Sequence, residues 1–122
     1  MKKNIEKFRK GYMDMLLLKV LSAGDYYGYQ IILIFRKLSE GIIDITTGSI
    51  YPVLYRLQDK GYISSYTKKE HPKMERVYYH LTPEGKEELD TLIEDYMLVT
   101  KATHAILNFS NEEYEIKEIE VS

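Results

Sequence analysis

The stretch DITTGSIYPVLYRLQDKGYI, residues 44–63, decides how this chain is read. Ile50, Val53, Leu54 and Leu57 recur at helical spacing, so the segment is expected to be a helix with one inward stripe. Its beginning is unusual. Thr46 or Thr47 supplies an N-cap hydroxyl that can accept from the first-turn N–H groups. Pro52 falls roughly four or five residues past that cap and removes at most about one internal hydrogen bond. Gly61 ends the helix. The first turn thus combines small hydroxyls at Thr46, Thr47 and Ser49 with uncovered backbone at Gly48. Its free N–H groups sit at the positive end of the helix dipole, which suits a phosphate. Tyr51, Pro52, Tyr55 and Arg56 lie largely off the apolar stripe. Arg56 is expected to grip a phosphate, or a guanine if it reaches a base edge. The competing reading is a capped core helix whose Tyr and Arg side chains are merely solvated.

Upstream, Ile5, Phe8, Tyr12 and Met15, then Leu16, Leu17, Val20 and Leu21, step by three and four, giving a helix that stops at Gly24. A second helix is expected to begin near Tyr27-Gly28, carry Ile31, Ile32, Phe35 and Leu38, and end at Gly41. Gln30, near its start, is a candidate phosphate contact; Tyr26 and Tyr27 serve the same purpose or pack. Ile42-Ile43-Asp44-Ile45 has a short β-like pattern.

Downstream, residues 62–67 and 76–81 are rich in Tyr, Ile, Val and Thr. Val77, Tyr79 and Leu81 alternate with Arg76, Tyr78 and His80, which is strand spacing. Residues 68–75 between them are expected to form a polar, basic hairpin tip with Lys68, Lys69 and Lys73, and Arg76 opens the second strand. Lysines there would give salt-sensitive, mostly sequence-blind affinity for a nucleic-acid backbone, and Arg76 suits a narrow minor groove. The alternative is a soluble loop, its basic signal diluted by Glu70 and Glu75. Thr82-Pro83-Glu84 restarts a helix with a Thr cap, Pro at the first helical position and an acid at the positive end.

The totals bound the function. The 122 residues make one domain's worth of chain, 44% hydrophobic and 30% charged, without cysteine. That excludes a disulfide framework, a thiolate metal site and a cysteine nucleophile. The start lacks a signal-peptide core and the apolar runs are too short to span a bilayer, so a cytoplasmic protein with no membrane partner is expected. The net charge of −2 conceals an asymmetry. Residues 1–82 hold 14 Lys and Arg against 8 Asp and Glu, whereas residues 83–122 hold 3 against 11. A basic body therefore carries an acidic arm. His71, His80 and His104 lack metal-ligand spacing, and no phosphate loop, nucleophile elbow or acid pair occurs, so no enzyme, metal or cofactor is expected.

Three helices followed by a basic hairpin is the order of a winged helix-turn-helix, an α+β, mainly α fold. The segments Gly28-Tyr29-Gln30-Ile31, TGSIYPVLYRL at 47–57, Lys60-Gly61-Tyr62-Ile63 and YYHLTPEG at 78–85 resemble the PadR family of transcriptional regulators, over roughly residues 11–107. The length, with one long last helix, resembles the short subgroup. The resemblance implies a homodimer that represses promoters, often its own, and in some members releases DNA on binding a small molecule.

The last helix is expected to reach about Leu107, roughly 25 residues or ~37 Å. Leu89, Leu92, Tyr96, Val99, Thr103 and Ile106 recur at spacings of 3, 4, 3, 4 and 3, with Ile93, Thr100 and Leu107 beside them. This heptad seam on an acidic helix suits a twofold dimer better than a DNA contact. Ile5, Phe8 and Tyr12 of the first helix are expected to join that interface. Tyr96, with Met97, is the candidate effector contact, although such a Tyr is also ordinary interface packing. Ser110-Asn111-Glu112-Glu113 has a capping-box pattern. The division expected is residues 1–82 for DNA binding and residues 83–122 for dimerisation. A winged helix used only for protein–protein assembly is the alternative, since fold does not fix function.

Overall fold

The computed structural model describes the backbone of residues 2–111 and the side chains of residues 11–111. The side chains of Ile5 and Phe8, and the Glu112-Glu113 half of the capping-box pattern, lie outside what is described. The elements run α1 (Lys2–Ala23), β1 (Tyr26–Tyr27), α2 (Gly28–Leu38), α3 (Thr47–Asp59), β2 (Ile63–His71), β3 (Met74–Leu81) and α4 (Pro83–Leu107). The sheet is antiparallel, three-stranded and ordered β1-β3-β2. Two compact units divide the chain, residues 1–92 and residues 93–122.

The core of the first unit collects the apolar stripes of α1, α2 and α3. Leu17, Leu18 and Leu21 of α1, Ile31, Ile32 and Phe35 of α2, and Ile50, Leu54 and Leu57 of α3 are buried, with Ile63 and Tyr79 from the sheet. Leu89 joins them from α4 at 1% exposure. Expected in the dimer seam, Leu89 is thus core within its own chain: the first turns of α4 anchor the helix.

Both helix-ending turns are built locally. After α3, the Gly61 N–H donates to the Gln58 carbonyl and the Tyr62 N–H to that of Leu57, with Gly61 at φ +81°. This Schellman pair satisfies two otherwise orphaned carbonyls. After α2 the same arrangement recurs, with Glu40 N–H to Lys37 and Gly41 N–H to Arg36. Here Glu40, at φ 52°, holds the left-handed position ahead of Gly41, which a sequence reading assigns to the glycine. The Ser39 hydroxyl donates to the Phe35 carbonyl and accepts from the Ile43 N–H.

That anchoring explains one departure from expectation. Ile42–Ile45 form no strand; the Ser39 bond holds the segment as a loop, and Ile42 is 87% exposed. The third strand is instead Tyr26–Tyr27, pairing with Tyr79 and Tyr78. Two residues carry too little periodicity to announce a strand.

The wing is longer than its sequence suggests. Strand pairing continues to His71 and Met74, leaving Pro72 and Lys73 as the turn, so Lys68 and Lys69 lie on β2 and not at the tip. Glu70 is the extra residue of an irregularity between Lys69 and His71.

Gly85 explains the Thr-Pro-Glu-Gly start of α4. A Cβ there would collide with the Tyr62 carbonyl oxygen and come within 2.8 Å of Leu81 Cδ1. Only glycine lets this helix approach the strand entry so closely. The Thr82 hydroxyl accepts from the Gly85 N–H as the cap and donates to the Gly61 carbonyl, joining the α3 terminus to the α4 start.

Candidate nucleic-acid interface

The N-cap of α3 is Thr46. Its Oγ1 accepts from the Ser49 N–H at 3.2 Å and donates to Ser49 Oγ at 3.1 Å. Thr46, Thr47, Gly48 and Ser49 are all exposed, and a Cβ added at Gly48 would meet nothing nearer than the Thr46 hydroxyl at 3.9 Å. The turn therefore offers solvent-facing hydroxyls and bare backbone at a positive helix end. Pro52 comes six residues after the cap, further than expected, inside the helix. Its missing N–H leaves the Gly48 carbonyl without its usual helical donor.

Arg56 departs from the sequence reading most clearly. Its Nη1 and Nη2 donate to the two carboxylate oxygens of Asp14 in α1, at 2.9 and 2.5 Å. The side chains of Arg56 and Asp14 are 23% and 14% exposed. The Asp14 carboxylate holds the Arg56 pKa above its ordinary value. This fork-to-fork geometry is among the stronger side-chain pairs. It ties the third helix to the first and engages both terminal nitrogens of the guanidinium with Asp14.

Tyr51 is half-buried because it packs on the start of α2. A Cβ at Gly28 would lie 2.7 Å from the Tyr51 hydroxyl oxygen, so that glycine makes room for the phenol. Tyr55 remains 57% exposed, its ring centroid 6.0 Å from that of Tyr51. Burial, with Tyr55 and Tyr51 nearby, raises the Tyr79 pKa. Gln30 is half committed: its Oε1 accepts from the Tyr27 N–H at 3.1 Å, leaving the amide N–H₂ to donate outward.

Behind the α3 entry lies a cleft of about 690 Å³ whose lining includes Tyr12, Met13, Ile43, Ser49, Pro52 and Arg56. The α2–α3 loop forms one wall, where Arg36 Nε bonds Asp44 Oδ1 at 3.1 Å.

On the wing, Lys68 faces Arg76 across the β2–β3 ladder. Two cations directly opposed repel. Each is accommodated by a tyrosine: Arg76 Cζ stands 4.3 Å from the Tyr27 ring centroid and Lys68 Nζ 5.4 Å from that of Tyr78. Tyr66 stacks on Tyr78 at 5.7 Å, and Tyr27 meets Tyr78 edge-on at 5.5 Å. Glu70 accepts from the Tyr78 hydroxyl and pushes its pKa up to about 12. Asp25 accepts from the Tyr66 hydroxyl and meets His80 Nδ1 at 2.8 Å, and the His80 bond lowers the Asp25 pKa. Lys69 and Lys73 are exposed. The tyrosine cluster goes beyond what the strand pattern predicts. Its signal was the alternation of Tyr66 with Lys68, and of Arg76 with Tyr78 and His80, on one sheet face.

In the second unit, Tyr96, Met97, Val99, Ile106 and Leu107 are exposed apolar or aromatic residues. Thr100 is half-buried, and the Thr103 hydroxyl donates to the Val99 carbonyl one turn back at 2.7 Å. Ile93 is half-buried, as is Leu92 at the end of the first unit. Among the described residues no helix is long and apolar enough to cross a membrane, and no three His, Cys, Asp or Glu side chains are placed to hold a metal.

A capped, exposed third helix on a helical core, followed by a basic antiparallel hairpin, defines a winged helix-turn-helix protein. A model of the transcriptional regulator PadR-like family matches residues 17–91, and the chain belongs to that family. A transcriptional regulator from Clostridium thermocellum has a similar structure, with a TM-score of 0.75 and 32% identity, over 81% of this chain and 96% of that one. Bacillus subtilis PadR, solved in complex with operator DNA, gives a TM-score of 0.62 at 26% identity, over 83% of this chain and 61% of that one. The negative transcriptional regulator PadR of Bacillus subtilis is 34% identical over 73 residues, which are 60% of this chain and 40% of that protein.

Proposed function

We propose that this chain is a cytoplasmic, homodimeric repressor that binds a roughly palindromic duplex operator. The observation that carries the reading is the first turn of α3: capped by Thr46, exposed through Ser49 and bare at Gly48. A recognition helix enters the major groove by such an end. Thr46, Thr47, Gly48 and Ser49 then meet phosphate and base edges, with Tyr51, Pro52 and Tyr55 following along the helix and Gln30 donating its amide from α2. Lys68, Lys69, Lys73 and Arg76 meet the flanking backbone or minor groove. Arg56 enters this reading as the support that fixes the angle of α3 through Asp14. The operator complex of Bacillus subtilis PadR supports DNA as the partner.

Residues 1–82 form the DNA-reading part and residues 83–122 the dimerising part, with the dimer contact drawn from α4 beyond its anchored first turns. Leu92, Ile93, Tyr96, Val99, Thr100, Thr103, Ile106 and Leu107 supply it, with Tyr12 from α1. An isolated winged domain has no use for this apolar surface, and a twofold partner removes it from water. Half-sites then lie about one helical turn apart, ~34 Å, or a multiple of it. A small aromatic or apolar effector would bind beside Tyr96 and Met97.

The test is selection of bound fragments from a random duplex pool, with the affinity of the recovered sequence measured against salt. A recurrent, roughly palindromic sequence and a steep loss of affinity with salt are expected. Recovery of no common sequence, with binding indifferent to salt, leaves the assembly-only reading standing.

A further inference from the structure

The outer face of the sheet holds two cations where a wing would touch nucleic acid, and it holds them unusually. A guanidinium on a wing strand is ordinarily a flexible side chain whose ordering costs conformational entropy on binding. Here the Arg76 guanidinium lies 4.3 Å from the centroid of the Tyr27 ring. Tyr27 does not belong to the wing hairpin. It pairs with Tyr78 through β1, immediately precedes α2, and gives its backbone N–H to Gln30 of that helix. Its ring is therefore fixed to the helix-turn-helix frame. A guanidinium over a ring turns one face to it; Nη2 of Arg76 also donates to Met74 Sδ at 3.3 Å, and the remaining N–H groups are left for outward donation.

We infer that Tyr27 is a positioning residue for DNA binding, holding Arg76 over its ring in register with the helix-turn-helix and poised to enter a narrow minor groove. This rests on the DNA reading given above. The opposed Lys68 reinforces the geometry, because lodging over Tyr78 keeps its charge on the same face without displacing Arg76. The pair concentrates positive charge on one patch, the feature that a narrow, strongly negative groove attracts. Tyr27 contributes through Arg76 and touches no base itself.

The experiment uses the full chain and the best-bound duplex from the selection above, with a scrambled duplex of equal length as reference. Tyr27→Leu, Tyr27→Phe, Arg76→Ala and the double variant Tyr27→Leu/Arg76→Ala are compared, with thermal melts for folding. Tyr27→Leu is expected to weaken operator binding roughly two- to fivefold, the worth of an exposed cation–π contact. Tyr27→Phe keeps the ring and should bind like the parent. In the Arg76→Ala background the leucine substitution should have no further effect. Equal losses in both backgrounds would mean that Tyr27 acts on folding or on DNA independently of Arg76, and would overturn the inference. So would an unaffected Tyr27→Leu, or an unaffected Arg76→Ala in a protein whose α3 variants lose binding. If the parent protein selects no duplex, the DNA reading itself falls, and the inference with it.

Discussion

The Asp14–Arg56 pair yields the sharpest prediction, because sequence and structure give Arg56 opposite duties. On an open recognition face, Arg56→Ala would weaken DNA binding and leave stability unchanged. With its fork closed on Asp14 at 2.9 and 2.5 Å, the same substitution should loosen the packing of α3 on α1. Hydrogen bonds to a charged group contribute about 1.5–3 kcal/mol each in mutational series. Removing one member of a fully buried pair costs about 3–5 kcal/mol. At 23% and 14% exposure the abandoned partner recovers some hydration, so about 2 kcal/mol is expected for Asp14→Ala and for Arg56→Ala. Since both variants break one interaction, the double variant should cost well under the sum, with a coupling of about 1.5 kcal/mol. Urea unfolding at one fixed protein concentration measures all four proteins, the concentration being fixed because association shifts apparent stability. A coupling below about 0.5 kcal/mol would refute the reasoning, for the two residues would then behave as independent sites. Arg56 would return to the DNA face, and Arg56→Ala should then change operator affinity alone.

Other expectations follow from neighbouring geometry. Gly85→Ala should destabilise by about 1–3 kcal/mol through collision with Tyr62, against a helix-propensity gain of about 1 kcal/mol; a variant that melts higher than the parent contradicts the close approach. Thr46→Ala removes the cap of α3 and should cost about 1 kcal/mol in the same unfolding assay. Lys68→Ala and Lys69→Ala should each reduce the log-affinity against log-salt slope by about one, with similar losses on operator and scrambled duplexes. The Asp25 pKa lies below its ordinary 3.8, chiefly through His80, so the carboxylate's contribution is complete above that value and is lost as pH falls through the lower folded value. Melting of Asp25→Asn beside the parent, from about pH 6 downward, should show a constant difference above the ordinary carboxylate range that shrinks as the pH falls below it.

What the sequence determined by itself was governed by neighbours a few residues apart. Of the expected one-face stripes, Leu17 and Leu21, Ile31, Ile32 and Phe35, and Ile50, Leu54 and Leu57 are buried, whereas Leu16, Val20 and Val53 are half-buried and Leu38, at the end of α2, is 77% exposed. The Thr46 cap, the Gly61 stop, the Thr82-Pro83 restart and the alternation through Tyr79 are short-range too, because hydrogen bonds within a turn or a hairpin set them. Together they sufficed for a winged helix-turn-helix ending in a 25-residue helix.

The tertiary structure decided which side chains remain open for use. Asp14 captures Arg56 across 42 residues and Asp25 meets His80 across 55, separations at which no periodicity in the chain connects the partners. Tyr27, read as the start of a helix, became a strand and the floor beneath Arg76 only because β3 lay beside it. Leu89 belongs to a heptad pattern by spacing and to the core by packing, since the Gly85 contact brings the first turns of α4 onto the sheet entry. Spacing along a chain states which residues share a face; what that face meets depends on elements far away in sequence, and packing alone settles it.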